Sequence, residues 1–236
     1  ARFMRFLSGV FTLAILVGAL VFVAFTHPNS PVPASLNPAA PLDVAAPVDR
    51  LTPYRLRRSV EGQACIAALQ TSGAEFDILP DFEESEQCHI RDRVRLRSLG
   101  TASGRPFQTR CATALRLAIW ARHGLEPAAE EIFGQGVARV HHQDSYNCRR
   151  IRTPSGIGTR MSMHATADAV DITGVTLDDG RRIQLIEDWG QGDEGTFLAE
   201  ARDSSCDWFV TTLGPEFNSL HADHFHLQSR GWGTCR

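Results

Sequence analysis

The period of the hydrophobic positions changes several times along the chain, and each change marks an element. From Gly62 to Ser72, Ile66 and Leu69 fall on one side and Gly73 follows, which predicts a short helix. Phe107 to His123 is a stronger helix. Cys111, Ala114, Leu115, Ala118 and Ile119 recur there at helical spacing, and Gly124 ends the run. Pro127 can open another short helix through Phe133. Val137 to His141 alternates as a strand does, and Ala167 to Thr176 is a second strand. Asp179-Gly180 predicts a hairpin turn into Arg182 to Ile186. Thr196 to Trp208 reads as a helix and His224 to Gln228 as a last strand. Helices packed on a small, mostly antiparallel sheet make the expected fold α+β. No internal repeat is visible.

The amino-terminal pattern has no period at all. Phe6 to Phe25 contains no charge and is preceded by Arg2 and Arg5. As a helix it would be about 30 Å long, the thickness of a bilayer's hydrocarbon core. The basic flank should stay cytoplasmic and put the rest of the chain outside. An uncleaved anchor is favoured over a cleaved signal peptide, because the stretch is long and Phe22 stands where a cleavage site near Ala24 would want a small residue. Seven of the 12 prolines then lie between Pro28 and Pro53, among Ala, Ser and Asn. Such a segment should be an extended, semi-rigid spacer without a core of its own. The expected organisation is an anchor or signal segment over 1–26, a Pro/Ala-rich linker over 27–53, and a folded domain over 54–236.

Composition adds a compartment and removes one class of partner. The chain has 236 residues, 43% of them hydrophobic, enough for one domain with a real core. A formal net charge of −3 gives no basic field, so nucleic acid is not an expected partner. All 24 basic residues are arginine. The six cysteines, Cys65, Cys88, Cys111, Cys148, Cys206 and Cys235, form no CxxC pair, which argues against a thiolate zinc site. An even number of separated cysteines fits disulfides formed in an oxidising compartment. Of the 15 possible pairings, the sequential one, closing three local loops, is the expectation.

Chemistry concentrates in two clusters, Ser162 to Asp171 and His221 to His226. On a strand beginning at His224, alternate side chains share a face, so His224 and His226 project together and Asp223 and Phe225 point away. His164 and Asp171 are seven apart. On one helix they would be about 10 Å apart along the axis, too far for one ion. His164 therefore belongs on a turn or helix end that folds back, with Asp171 on the strand that follows. Ala165, Ala167 and Ala169 are small enough to allow close approach. His164, Asp171 and His226 then offer three ligands for a zinc ion, leaving the open position of catalytic sites, with His224 beside them as general base.

The spacing His164-x6-Asp171, followed by His221-Ala222-Asp223-His224-Phe225-His226, resembles the LAS group of peptidoglycan peptidases, which includes D-Ala-D-Ala carboxypeptidases and dipeptidases and a murein endopeptidase. More of the chain resembles a relative of that group, the bacterial extensin-like C-terminal domain family. The matching stretches are Arg95 to Gly100, Phe133-Gly134, Ser145 to Arg149, His164 to Ala167, Leu177 to Arg182 and His221 to Leu227. The resemblance implies a LAS-like fold, Zn²⁺ on His164, Asp171 and His226, His224 as base, and His221 as an auxiliary histidine. It also implies that Ser145 to Arg149 is the strand carrying a substrate-binding arginine, Arg149 in preference to Arg150. Ala167 replaces the usual glycine, Met163 a frequent glutamate and Asp168 a frequent asparagine; Met163 and Asp168 stand where they can alter substrate choice or support the ligands.

The expected function is therefore zinc-dependent hydrolysis of amide bonds in peptidoglycan, with an endopeptidase favoured over a carboxypeptidase. The expected location is the bacterial inner membrane, single-pass, with the C-terminal domain in the periplasm. The alternative is a non-catalytic wall-binding or scaffold domain whose zinc is structural or absent. A fourth protein ligand, His224 or His221, would favour that alternative.

Overall fold

The computed structural model describes residues 2–27 and 30–236; Pro28 and the side chains of Arg2 and Arg5 lie outside the described residues. The chain divides into two compact units. The first comprises Ala1–Leu42 and Val48–Ser59, the second Asp43–Pro47 and Val60–Arg236. Five residues of the proline-rich segment thus belong to the larger unit.

In the first unit, α1 (Arg2–Thr26) includes Phe6–Thr26, which is long and apolar enough to cross a membrane, with a mean hydropathy of 2.6. The second helix, α2 (Thr52–Arg58), carries Pro53 in its first turn, where the missing N–H costs nothing. Asp49 caps it, its Oδ1 accepting from Leu51 N at 2.8 Å and Thr52 N at 2.9 Å. Residues 30–42 are not the featureless spacer their composition predicts. Asn37, Ala40 and Leu42 are buried. The reason is Arg55, itself buried. It pairs with Asp49 at 3.1 Å and donates to the Ala34 carbonyl, drawing the short 3₁₀ turn Ala34–Leu36 onto α2.

The larger unit contains α3 (Gly62–Thr71), β1 (Phe76–Ile78), β2 (Phe82–Ser85), β3 (Cys88–Ile90), β4 (Arg93–Ser98), β5 (Ser103–Arg110), α4 (Cys111–Trp120) and α5 (Glu126–Phe133). It continues with β6 (Val137–His142), β7 (Arg150–Thr153), β8 (Gly156–Met161), β9 (Ala169–Leu177), β10 (Arg182–Gln184), α6 (Leu185–Asp188), α7 (Gly192–Trp208), β11 (Thr211–Leu213) and β12 (Phe225–Gln228). The fold is α+β. One eight-stranded sheet runs β1-β4-β5-β6-β9-β12-β11, with β10 also pairing β9. It is mixed only through the short parallel pairing of β5 with β6; its other pairings are antiparallel. β2–β3 and β7–β8 are separate two-stranded hairpins.

The helices pack on each other and on the sheet around the fully buried Trp120, Phe197 and Phe225. The helix predicted from Phe107 starts four residues later. Phe107 to Arg110 are the end of β5, held in register with β4 by pairs such as Phe107 and Leu96. Gly124 does not stop the helix. The backbone passes through a π-helical turn, Ala121–Leu125, into α5. A Cβ at Gly124 would lie 2.6 Å from Ser204 Oγ, so the glycine serves close packing against α7.

The disulfides are Cys65–Cys111, Cys88–Cys148 and Cys206–Cys235, so the sequential expectation holds only for the last. Cys65 lies on α3, which packs on α4, where Cys111 is the first residue. Between them in sequence run β1 to β5, and these carry Cys88 away to the segment before β7.

Candidate metal centre

His164, Asp171 and His226 come together, buried, with Asp171 and His226 lining an open cleft. Sheet register brings two of them there. His226 on β12 and Asp171 on β9 are direct cross-strand partners, so their side chains share a face. The neighbours Phe225, Leu227, Val170 and Ile172 point to the opposite, apolar face and are buried. His164 arrives from the 3₁₀ turn Met163–Thr166, as the seven-residue spacing requires. Ala167 turns the chain back with a φ of 51°. Its carbonyl accepts from Thr113 Oγ1 at 2.9 Å and Thr109 Oγ1 at 3.2 Å, both buried.

His226 Nδ1 is 2.7 Å and His164 Nε2 is 3.2 Å from Asp171 Oδ1, and the two nitrogens are 3.2 Å apart. The His164 tautomer is fixed from behind. Its Nδ1 lies 2.8 Å from the Ser145 carbonyl, which can only accept, so Nδ1 carries the proton. In the neutral ring, Nε2 then presents a lone pair toward a carboxylate and a second imidazole. That geometry calls for a shared positive charge, a proton or a metal ion. His226 Nε2 is 2.8 Å from the Gln228 side-chain amide. With the amide oxygen turned to it, Nε2–H donates and Nδ1 is left free as a ligand. The donor set of two imidazoles and one carboxylate fits zinc.

Electrostatics agree with a cation site. Burial alone would raise the Asp171 carboxyl, but its close contacts with the His164 and His226 imidazoles outweigh it and hold it far below the usual carboxylate range. Burial lowers His226 despite the Asp171 carboxylate. His221 is pushed down to about 4, first by burial and then by His226 and His224. Its Nδ1 lies 2.8 Å from Asn218 Oδ1, and its ring centroid is 5.3 Å from that of His224 and 5.7 Å from that of His226.

The remaining expected residues need correction. His224 precedes β12, and the chain before it forms a 3₁₀ turn, Ser219–His221, so strand alternation does not apply there. Asp223 is consequently not aimed away. Its Oδ1 accepts from His224 Nδ1 at 2.8 Å, while His224 Nε2 faces Asp171 Oδ1 at 3.6 Å. Ser145 to Arg149 is an irregular segment rather than a strand, held to β3 by Cys88–Cys148. Arg149 lines the cleft beside Asp171 and is half-buried; burial lowers its guanidinium and Asp171 raises it. Arg150 begins β7 and is exposed.

Two contributors went unread in the sequence, Gln228 and the Ser145 carbonyl; Asp223 was read as pointing away, and the buried Asp168 was read only as a residue that could support the ligands. Asp168 receives Arg110 Nη1 at 3.2 Å, Arg230 Nε at 2.8 Å, Thr166 Oγ1 at 2.6 Å and Ser229 Oγ at 3.2 Å. It ties the His164 turn to the end of the His226 strand. Only the position of Gln228, two after His226 on the same strand face, was available as a signal.

No curated protein and no solved structure matches the chain. Residues 63–236 match the family described as "Extensin-like protein C-terminus", and the chain therefore belongs to that family.

Proposed function

We propose that this protein is a zinc-dependent peptidase that hydrolyses amide bonds in peptidoglycan peptides, cross-links in preference to chain ends. The observation that carries the reading is the buried His164, Asp171 and His226 trio, of which Asp171 and His226 line a cleft of about 660 Å³ that also presents His224 and Arg149. The likeness of the His164–Asp171 and His221–His226 spacings to LAS peptidases supports the substrate class. The three disulfides support an oxidising compartment. With α1 in the inner membrane, the remainder would lie in the periplasm.

Zinc, when bound by His164, Asp171 and His226, lowers the pKa of a water toward about 7 and polarises a carbonyl. His224 takes a proton from the attacking water at Nε2, its other nitrogen oriented by Asp223. Arg149 offers N–H donors to the oxygen that becomes negative as the carbonyl carbon turns tetrahedral. His224 returns the proton to the leaving amine, so that water is added across the broken C–N bond. His221, kept neutral, adds no charge to this face. The Ser145 carbonyl holds His164 in the required tautomer, and Gln228 does the same for His226 when its amide oxygen faces Nε2.

One observation favours the alternative of a structural zinc in a non-catalytic wall-binding domain. His224 Nε2 is close enough to Asp171, at 3.6 Å, to serve as a fourth ligand. The deciding experiment incubates purified protein with peptidoglycan, with and without chelator, followed by mass analysis of released fragments. Chelator-sensitive release of new peptide ends supports the peptidase. Intact peptidoglycan after incubation with the zinc-loaded protein refutes it.

A further inference from the structure

We infer that the cleft recognises carboxylates, through Arg149, Arg152 and Arg160 along its β7–β8 wall, and that Trp232 is the positioning residue that holds Arg160 for this task. The inference rests on the peptidoglycan reading above for its choice of ligand, and it is tested by binding rather than turnover so that the two can fail separately.

The first observation is the absence of acidic partners for these three arginines. Some exposed arginines elsewhere pair, Arg97 with Asp77, Arg105 with Asp144, Arg181 with Asp179 and Glu194, while others, such as Arg57, Arg139 and Arg182, form no ion pair among the described residues but do not converge on a cleft. Arg149, Arg152 and Arg160 all line the cleft, and among the described residues none of them forms an ion pair. The acidic groups that share the cleft wall, Asp171 and Asp223, already face imidazoles. Three guanidinium groups lining one cleft without a salt-bridge partner offer a donor array suited to carboxylates.

The second observation is how Arg160 is held. Its guanidinium carbon lies 5.5 Å from the centroid of the Trp232 ring. Stacking of this kind orients a guanidinium without consuming any of its five N–H donors or neutralising its charge. An ion pair would do the opposite on both counts. Trp232 is 81% exposed, so the rest of its ring surface is open to solvent. The backbone fixes it there. Gly231 and Gly233 on either side have φ of 147° and 75°, and a Cβ on Gly231 would lie 2.7 Å from Gln228 Oε1 and from Thr211 Oγ1. Beyond them, Thr212 N donates to Thr234 O at 2.8 Å and Cys235 is bonded to Cys206.

The facing wall, with Phe217 and Leu220, is apolar and partly exposed. A peptide with carboxylates on one edge and small apolar side chains on the other fits between the two walls.

The test measures binding of a fluorescent L-Ala-γ-D-Glu-L-Lys-D-Ala-D-Ala peptide to the full chain in detergent, with chelator present to prevent turnover. Three comparison peptides are amidated at the D-Glu carboxyl, at the C-terminus, or at both, and so tell a side-chain carboxylate from a terminal one. The doubly amidated peptide should bind at least tenfold more weakly, since a hydrogen bond to a charged group contributes about ten- to hundredfold in affinity. Arg152→Ala and Arg160→Ala should each lower binding of the acidic peptide about tenfold and leave the doubly amidated one unchanged. Trp232→Ala should follow Arg160→Ala in the same selective way, and Trp232→Phe should restore most of the loss. Failure of the acidic peptide to bind, equal binding of acidic and amidated forms, or unchanged selectivity in both arginine variants would overturn the inference. Loss of both peptides alike in Trp232→Ala would overturn the part assigned to Trp232.

Discussion

Asp168→Ala tests whether the buried network behind the metal donors positions them. The carboxylate is 1% exposed and receives two guanidinium groups and two hydroxyls. Arg230, at 54% exposure, can turn to water when its partner is lost, and so contributes little. Arg110, at 18% exposure, cannot; the nearest other carboxylate, Glu61, is 4.0 Å away and mostly in solvent. Breaking a buried pair from one side costs about 3–5 kcal/mol, and with only one of the two arginines trapped the lower end applies, about 3 kcal/mol. For a unit of this size that is a fall in melting temperature of about 6–12 °C. Circular dichroism of the full chain in detergent, with chelator, reads it. Zinc titration of the folded variant should show affinity lowered about 10- to 100-fold, because the His164 turn is no longer fastened to β12. Asp168→Asn, which keeps acceptors for Thr166 and Ser229, should fall between. A melting temperature within about 2 °C of wild type would refute the energetic argument. Lowered stability with unchanged zinc affinity would refute the positioning argument.

Three further outcomes are expected. His224→Ala should retain zinc and lose hydrolysis by about 10²- to 10⁴-fold, whereas His226→Ala should lose the metal itself, as bound zinc and peptide release will show; full activity in His224→Ala sinks its role as base, and lost zinc makes it a ligand. Native protein should contain no titratable thiol, and replacing Cys88 and Cys148 by serine, which opens a link across 60 residues, should cost about 4 kcal/mol in the chain-entropy account, read by urea denaturation; six reactive thiols in unreduced protein would contradict this. Glu126 is raised chiefly by burial, against which the Val137 N–H works, so its charged form is disfavoured on folding and stability declines as pH rises through its titration. Glu126→Gln should therefore melt higher than wild type at pH 7, with the gain shrinking toward pH 4; a gain that grows on acidification would reverse the sign.

Legibility followed the range of the interactions. The donor trio could be read because two local periods sufficed: a seven-residue spacing that forces a turn, and a strand whose alternate positions share a face. Asp223 was misread because alternation was extended one turn too far, into a segment that the Asn218 side chain caps as a 3₁₀ turn at Leu220 N. Phe107 to Arg110 carry a helical pattern, yet pairing with β4 wins, a contact the local period cannot report. The disulfides failed for the same reason, since Cys65 meets Cys111 through helix packing and Cys88 meets Cys148 across a hairpin. Arg152, Arg160 and Trp232 sat in a segment without hydrophobic period, where polarity alone said loop.

The position of β12 has a consequence for how the molecule comes into being. This strand lies between β9 and β11, inside the sheet rather than at its rim, and follows both in sequence. Its slot must stay open until the strands on either side have been made, and it carries His226. A stalled or clipped chain can assemble α3, α4 and the first strands around their own disulfide while the third donor is still missing. His226 thus meets Asp171 only once β12 has entered the sheet beside β9.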